Sequence, residues 1–520
     1  MIKTIKRQRL LILITLVALG FRLWHLGSLP AILNRDEAAL AYNALLLAET
    51  GQDEWQRRWP LALESFGDYK LLGYPALLIP LFKLFSPTDY LVRLPSALFG
   101  TMLVPLTYWL AKSLKAKNKL ALFASLVTAL SPVFIWYSRM AFEANLALTY
   151  LAALLVVLFE FARQAKPWHA WALTALIFLG IFTYNTPLLL LPVLMIFAGL
   201  LFTKKQSNKF LLVELIFALA LIVGLLILAP TTAQKSSVTI FNDETTWYHW
   251  TVFRASLTGV WQTLLANRYV YYAGLIVKNL FFSFSPQFLV INGGAHPWHS
   301  LPTSGHLFAS TYVLSLLGIG QMLVKIFINR TKLISVRLEL AWLWLLFASL
   351  LPSIVTVDAP HATRSLLFFL LFCQMAIFGL QALLKKLPAK LVWTVVFVIV
   401  GVEALNHVQE FGKFINSQHD WQPGFEQVVQ QVEATHPSLP VEIVDPAGYH
   451  YILLAWYLKL PAKTYFDTII RQDKDAIGFR YGQQLSHYHF IAKEIDRVDS
   501  ESILIQWSKT DLNWQVKEDL

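Results

Sequence analysis

Long apolar runs separated by short polar ones occupy most of the chain. Runs of roughly 20 apolar residues fall at 8–26, 90–111, 120–137, 144–162, 170–184, 187–203, 210–229, 307–327, 339–356, 365–384 and 391–406. A helix rises about 1.5 Å per residue, so such a run crosses a hydrocarbon core of roughly 30 Å. The pattern predicts eleven transmembrane helices, with Pro187 and Pro192 interrupting the two shortest. The segments 68–85 and 268–291 could enter as re-entrant or interfacial helices and bring the number to thirteen. The first run ends in Phe21, Arg22, Leu23 and Trp24 rather than in small residues, so it reads as a retained anchor and not a cleaved signal.

Past residue 406 the pattern changes. Residues 424–434 read as an amphipathic helix, 440–446 as a strand, 449–458 as an apolar-faced helix and 501–507 as a strand. This predicts a small soluble α/β domain over 407–520 behind a transmembrane domain over 1–406. Charge divides at the same place. Residues 407–520 hold 16 acids against 10 Lys and Arg, a net of −6, whereas 1–406 hold 33 Lys and Arg against 16 acids, a net of +17. Charged residues make up only 14% of the chain and its mean hydropathy is +0.52. That deficit of charge, against roughly 25% in soluble domains, excludes an ordinary cytosolic enzyme. It also excludes a disordered or nucleic-acid-coating protein despite the net charge of +11. The single cysteine, Cys373, leaves no disulfide within the chain and no cysteine zinc cluster.

Every second loop is basic. Lys3, Lys6, Arg7 and Arg9 lie on one side with Lys112 to Lys119, Arg163 and Lys166, Lys204 to Lys209, Lys325 to Arg337, and Lys385 to Lys390. The positive-inside rule makes that side cytoplasmic. The N-terminus is then inside, and an odd number of spans places 407–520 outside a plasma (inner) membrane. Two long polar loops, 27–89 and 230–306, face the same outer compartment. Within the first, 37–50 has helical spacing with one apolar face and is expected to lie along the membrane surface.

The outer loops carry the residues that could do chemistry. Asp36 and Glu37 follow the first span closely; either could serve as general base, while Asn34 or Asp36 could instead cap the next helix. Glu143 stands at an outer junction with Arg139 four residues earlier, a spacing that also fits a local salt bridge. Lys70, Arg93, His361 and Arg364 are cationic groups suited to a lipid-linked phosphate, or to pairing with loop acids. His296, His299 and His306 with Asp243 and Glu244 contain metal-ligating types, but their spacing matches no zinc hydrolase helix. No phosphate-binding glycine loop or dinucleotide fingerprint is present, which argues against an ATP-driven pump and against nicotinamide chemistry.

These residues sit in a recognisable order. The Asp36–Glu37 pair, the K-x-x-x-x-P segment Lys70–Pro75, YLVRLPSALFG at 90–100 and SPVFIWYSRMAFEANLAL at 131–148 resemble the membrane glycosyltransferases that use polyprenyl-phosphate sugars. FFSFSPQFLVINGGAHPWHS at 281–300 and APHATRSLLFF at 359–369 extend the resemblance. That superfamily contains the protein O-mannosyltransferases and the lipid A aminoarabinose transferases. The resemblance implies a GT-C fold. It implies that Asp36 is the catalytic acid, Glu37 its neighbour and Glu143 a second acid lining the site. Lys70 and Arg139 would contact the donor phosphate, and His361 and Arg364 match a motif of the last outer loop. The implied reaction moves a sugar from a polyprenyl phosphate to an acceptor hydroxyl at the outer face. Asp36 would take the hydroxyl proton, cationic groups would stabilise the departing phosphate, and direct displacement would invert the anomeric carbon.

The implied partners are a polyprenyl-phosphate sugar donor, membrane lipid, and an acceptor that is a protein, a lipid or a glycan, with no nucleic acid. No cofactor is required by this chemistry. Metal dependence stays open, because an Asp–Glu–His cluster could hold a divalent cation. The alternative is a transporter or flippase of lipid-linked saccharides, which predicts inverted-repeat halves and polar residues near mid-membrane. A structural assembly protein is the third reading. The sequence has neither matched halves nor a mid-membrane polar row.

Overall fold

All eleven apolar runs form helices in the computed structural model, which describes residues 2–164, 166–294, 296–302, 304–415, 417–418, 421–475, 478–493 and 502–518. Seven helices there are long and apolar enough to cross a membrane. They are Asp89–Ser113, Glu143–Arg163, Ser207–Leu228, Ala309–Ile328, Ile334–Ile354, Thr363–Lys386 and Ala389–Ile415. An eighth span is the pair Asn118–Leu130 and Pro132–Ser138, bent by 55°. The break has a cause, since Pro132 has no N–H to continue the ladder. Two further expected spans, Pro167–Ile181 and Asn185–Leu201, are helices of 15 and 17 residues. Both fall short of the roughly 20 residues a straight crossing needs. The chain is a multi-pass membrane protein.

The chain divides into two compact units. The first comprises Met1–Arg22, Leu98–Ser138 and Ala144–Phe411. Its helix Ser207–Lys235 leaves Leu211, Leu215, Leu219, Ile222 and Leu226 more than half exposed, the apolar surface expected of a lipid-facing helix. Leu366–Lys386 is the opposite case, with Phe368 to Phe372 fully buried. Arg22, itself fully buried, donates to the carbonyls of Ala129 (3.3 Å) and Phe134 (3.4 Å), on either side of the break at Pro132. The charged head thereby satisfies the Ala129 carbonyl, whose helical donor, the Val133 N–H, turns instead to His306.

Ala309–Ile328 and Leu366–Lys386 cross so closely that a Cβ on Gly318 would overlap the Met375 carbonyl, and one on Gly379 the Leu314 carbonyl. Ser315 Oγ donates to the Phe372 carbonyl at 2.7 Å in the same crossing. Small residues are what permit such backbone approach between membrane helices. Gly318→Val is expected to destabilise the protein by about 1–3 kcal/mol, the cost of overpacking. Thermal unfolding in detergent should fall accordingly, whereas Gly320→Val, with open space around its Cβ position, should change little.

The second unit comprises Leu23–Ala97, Arg139–Glu143 and Gly412–Leu520. Its sheet strands are β3 (Val441–Val444), β4 (Ile470–Arg471), β5 (Gly482–Leu485), β6 (Tyr488–Ile491), β7 (Ile503–Ser508) and β8 (Asn513–Glu518), in the order β4-β5-β6-β3-β7-β8. β3 is central and parallel to both β6 and β7, while the remaining pairs are antiparallel. The helices Phe425–Thr435 and His450–Tyr457 and the strands β3 and β7 lie where the sequence pattern places them.

The first loop differs from expectation. Helix Arg35–Thr50 is buried continuously from Glu37 to Leu47, so it is a core helix of this unit and not a one-faced surface helix. It packs on Pro75–Leu84 and on His450–Tyr457. The segment at 68–85 is likewise not a single helix. Its start is β2 (Asp68–Leu71), paired with β1 (Ala62–Ser65) across the two-residue turn Phe66–Gly67. Both turn residues have positive φ, 43° and 81°, as a tight hairpin of this hand requires.

Candidate active site

Asn34 organises the acidic pair. Its side chain accepts from the backbone N–H groups of Asp36 (2.9 Å) and Glu37 (3.0 Å), and Glu37 Oε2 accepts from the Asn34 N–H (3.1 Å). This reciprocal cap starts the helix and sends the two carboxylates in different directions.

Glu37 turns inward, fully buried. Oε1 accepts from Arg93 Nε (3.0 Å) and the Ala141 N–H (2.7 Å), and Oε2 from Arg93 Nη2 (3.2 Å) and Asn34 Nδ2 (3.2 Å). With the cap, its oxygens meet five donors, which saturates the roughly four lone-pair sites of a carboxylate. Arg93 is equally committed. Beyond Glu37, it donates to the carbonyls of Leu26 (3.2 Å), Pro30 (2.8 Å) and Ile32 (2.7 Å). Expected among the catalytic acids and the phosphate ligands respectively, both are instead engaged in fixing the chain around Asp36. Their hydrogen bonds leave neither an acceptor for a proton nor a fork for a phosphate.

Asp36 turns the other way and keeps 30% of its side chain exposed. Lys70 Nζ lies 2.9 Å from its Oδ1 and 2.8 Å from Asp68 Oδ2. The hairpin delivers Lys70, whose side chain is only 6% exposed. Burial acts to raise the Asp36 pKa, but Lys70 and Arg35 outweigh it and hold the carboxyl below the usual aspartate range. Burial acts to lower the Lys70 pKa, and Asp36, Asp68 and Glu143 together push it upward. An ionised carboxylate is therefore clamped by an ammonium that two further acids attract. Glu143, half-buried at the first turn of Glu143–Arg163, belongs to this electrostatic group.

Arg139 precedes that helix, so the helical i,i+4 geometry with Glu143 does not arise. It is buried and donates to the carbonyls of Leu29 (3.1 Å) and His25 (3.4 Å). Burial, and then Arg93, lower its pKa to about 10, which leaves it cationic at neutral pH.

His361 and Arg364 belong to the first unit. Asp358, which the sequence reading passed over, joins them: Arg364 Nη1 is 2.6 Å from its Oδ1 and His361 Nε2 3.4 Å from its Oδ2. Burial, then Arg364, drive the His361 pKa well below 6.5, so its ring is neutral and not the cation expected. His299 lies beside it, with ring centroids 4.7 Å apart. Its Nε2 meets Thr363 Oγ1 at 3.1 Å, and that hydroxyl meets Tyr137 Oη at 2.8 Å.

His296 stacks on His299 with ring centroids 4.3 Å apart, while the remaining metal-ligating types go elsewhere. Asp243 caps Glu244–Ala255, and His306 is packed between Phe288 and Phe369, where burial lowers its pKa to about 3. Among the described residues no group of three or more His, Cys, Asp or Glu is arranged to hold a metal ion.

Comparisons with known proteins bear on this arrangement. Residues 72–233, less than half of the chain, match the family model described as dolichyl-phosphate-mannose-protein mannosyltransferase. No curated protein matches the chain. Among solved structures it is similar to the archaeal oligosaccharyltransferase AglB from Archaeoglobus fulgidus, in complex with an inhibitory peptide and a dolichol-phosphate. That likeness has a TM-score of 0.52 at 12% identity, covering 88% of this chain and 64% of that one. The apo form of the Archaeoglobus fulgidus oligosaccharyltransferase gives a TM-score of 0.53 at 12% identity, over 87% of this chain and 64% of the other. The chain has a GT-C fold. A weaker likeness, TM-score 0.41 at 13% identity, covers 88% of this chain and 85% of ArnT from Cupriavidus metallidurans bound to undecaprenyl phosphate. The chain spans less than two thirds, 64%, of the length of the oligosaccharyltransferase it matches. Its resemblance to glycosyltransferases with polyprenyl-phosphate donors, expected from the motifs, is matched by the family model over 72–233.

Proposed function

We propose that this protein transfers a sugar from a polyprenyl-phosphate-linked donor to an acceptor hydroxyl, with Asp36 as general base. One observation carries the reading: of two adjacent acids, Glu37 is consumed by structural hydrogen bonds while Asp36 stays ionised, partly open and paired to the Lys70 ammonium. In the resting state Lys70 weakens Asp36 as a base. A donor phosphate offers the ammonium a stronger anion, and sharing it restores basicity to Asp36 as the reacting groups arrive. Asp36 then takes the acceptor proton while the hydroxyl oxygen attacks the anomeric carbon and the bond to the lipid phosphate breaks. The leaving phosphate is already anionic, so no strong general acid is needed. Displacement in one step inverts the anomeric centre.

The alternating basic loops support a site on the non-cytoplasmic side of the plasma membrane. That is where a lipid-borne sugar could be presented after flipping. A divalent cation is not built into this scheme, because the positive charge beside Asp36 is the ammonium of Lys70. Arg364 is held by Asp358 through Nη1.

The test is purified protein incubated with labelled polyprenyl-phosphate sugars and membrane extract, with the product's anomeric configuration read by NMR. Transfer with inversion is expected. A product that retains the donor configuration would overturn the one-step scheme, and loss of sugar to water alone would overturn the transferase reading. In the same assay Lys70→Met should raise the donor KM by at least about tenfold, the equivalent of 1.4 kcal/mol of phosphate binding. An unchanged KM would remove Lys70 from the donor site.

A further inference from the structure

A groove of about 940 Å³ opens on the first unit. Three helices wall it: Ile2–Leu23 through Leu10 and Ile14, Asn118–Leu130 through Leu122, Phe123 and Leu126, and Ala389–Ile415 through Trp393, Phe397 and Val398. The walls are apolar except for Thr394 and two lysines, Lys119 and Lys390. Each lysine stands in the first turn of its helix, is exposed, and meets no carboxylate among the described residues.

Both lysines lie at one end. Phe123, one turn beyond Lys119, meets Trp393, one turn beyond Lys390, with ring centroids 6.1 Å apart. The chain enforces the same direction. Just past the end of Asn118–Leu130, the Val133 N–H donates to the His306 carbonyl, and the His306 ring lies on Phe369 in the first turn of Leu366–Lys386. Leu366–Lys386 therefore runs back toward Lys119, and Ala389–Ile415 starts from that end two residues later. From the lysines the walls extend to Leu126 and Val398, roughly 10 Å and 12 Å of helix. One leaflet of hydrocarbon is half of roughly 30 Å.

We propose that this groove binds one anionic glycerophospholipid, its phosphate between Lys119 and Lys390 and its acyl chains against Leu122, Leu126, Trp393 and Phe397. The volume lies near the upper end of the roughly 300–1,000 Å³ of ligand pockets. An apolar trough that covers most of one leaflet's depth, with paired cations at its mouth, has the chemistry of a lipid in the bilayer plane, and basic pockets between membrane helices select acidic head groups. The helix N-termini beside the lysines add to the attraction for a phosphate. This site is separate from the residues proposed for sugar transfer and stands or falls independently of them.

Native mass spectrometry of the full-length protein, released from detergent with equal phosphatidylglycerol and phosphatidylcholine of matched chains, tests it. The wild type is expected to retain the anionic lipid with a preference of at least about tenfold, from roughly 1 kcal/mol per lysine. Lys119→Gln/Lys390→Gln should abolish the preference, Lys119→Arg/Lys390→Arg should keep it, and Lys385→Gln/Lys386→Gln should leave it unchanged. Leu126→Trp, which fills the trough, should reduce retention of both lipids. Equal retention of the two lipids by the wild type, undiminished preference in the glutamine pair, or displacement of bound lipid by 10 mM inorganic phosphate (about that concentration, as a free-anion competitor) would each overturn the proposal.

Discussion

Replacing Asp36 by asparagine is expected to cut sugar transfer at least ~100-fold, the lower scale for removing a positioned general base. The substitution preserves shape and the backbone N–H that Asn34 caps, so the helix should still start at Arg35. It removes only the charge that Lys70 balances and the acceptor for a proton. The donor KM should change far less than kcat, because Lys70 keeps Asp68 at 2.8 Å as an anionic partner. Transfer rates from the labelled donor, with circular dichroism to show that the fold persists, decide the matter. A near-normal rate would remove Asp36 from its proposed role. Asp68→Asn is the informative neighbour: it loosens Lys70 without touching the proposed base, so it should act mainly through the donor KM.

Arg93→Met is expected to cost about 3–5 kcal/mol, the penalty for stranding one member of a buried ion pair. Both side chains are fully buried, so Glu37 would keep a charge with no counter-ion, and the carbonyls of Leu26, Pro30 and Ile32 would lose their donor. Urea or thermal unfolding in detergent measures this. Adding Glu37→Leu should recover only part of the loss. It relieves the stranded charge but abandons the Asn34 cap and the Ala141 N–H. Full recovery would mean that the pair contributes only its mutual attraction, and that the five hydrogen bonds around Glu37 are dispensable.

The membrane helices were legible because a span is read from length and apolarity alone, with no need to know its neighbours. The helix Phe425–Thr435 and the strands β3 and β7 were legible from local periodicity. The strands β5 and β6 were not, since GQQL and YHFI are short and polar enough to pass as loop. Nor was the surface helix at 37–50 correctly placed. Two helices bury it, Pro75–Leu84 and, about four hundred residues away in sequence, His450–Tyr457, and no local pattern announces the second. Within the site, the division of labour between Asp36 and Glu37 had a local signal that went unused. Asn34 with an acid three residues on is the capping-box spacing, which marks Glu37 as the structural member. Asp68 and Lys70 stand two apart on β2 and share a face, a pairing open to a strand reading but missed because the segment reads as an apolar helix; that of Arg364 with Asp358 depends on the path of a loop.

The turn that presents Lys70 is itself held from far along the chain. The Phe66 N–H donates to the Tyr451 hydroxyl at 3.0 Å, across 385 residues of sequence, and the Phe66 carbonyl accepts from the Arg480 N–H. During synthesis at about 5–20 residues per second, the hairpin therefore waits roughly 20–80 s for the side chain that steadies it. Until the ribosome has delivered that late segment, the turn beside the carboxylate proposed as base lacks both of its distant hydrogen bonds. Transfer by the proposed site is consequently expected only from chains synthesised past Arg480.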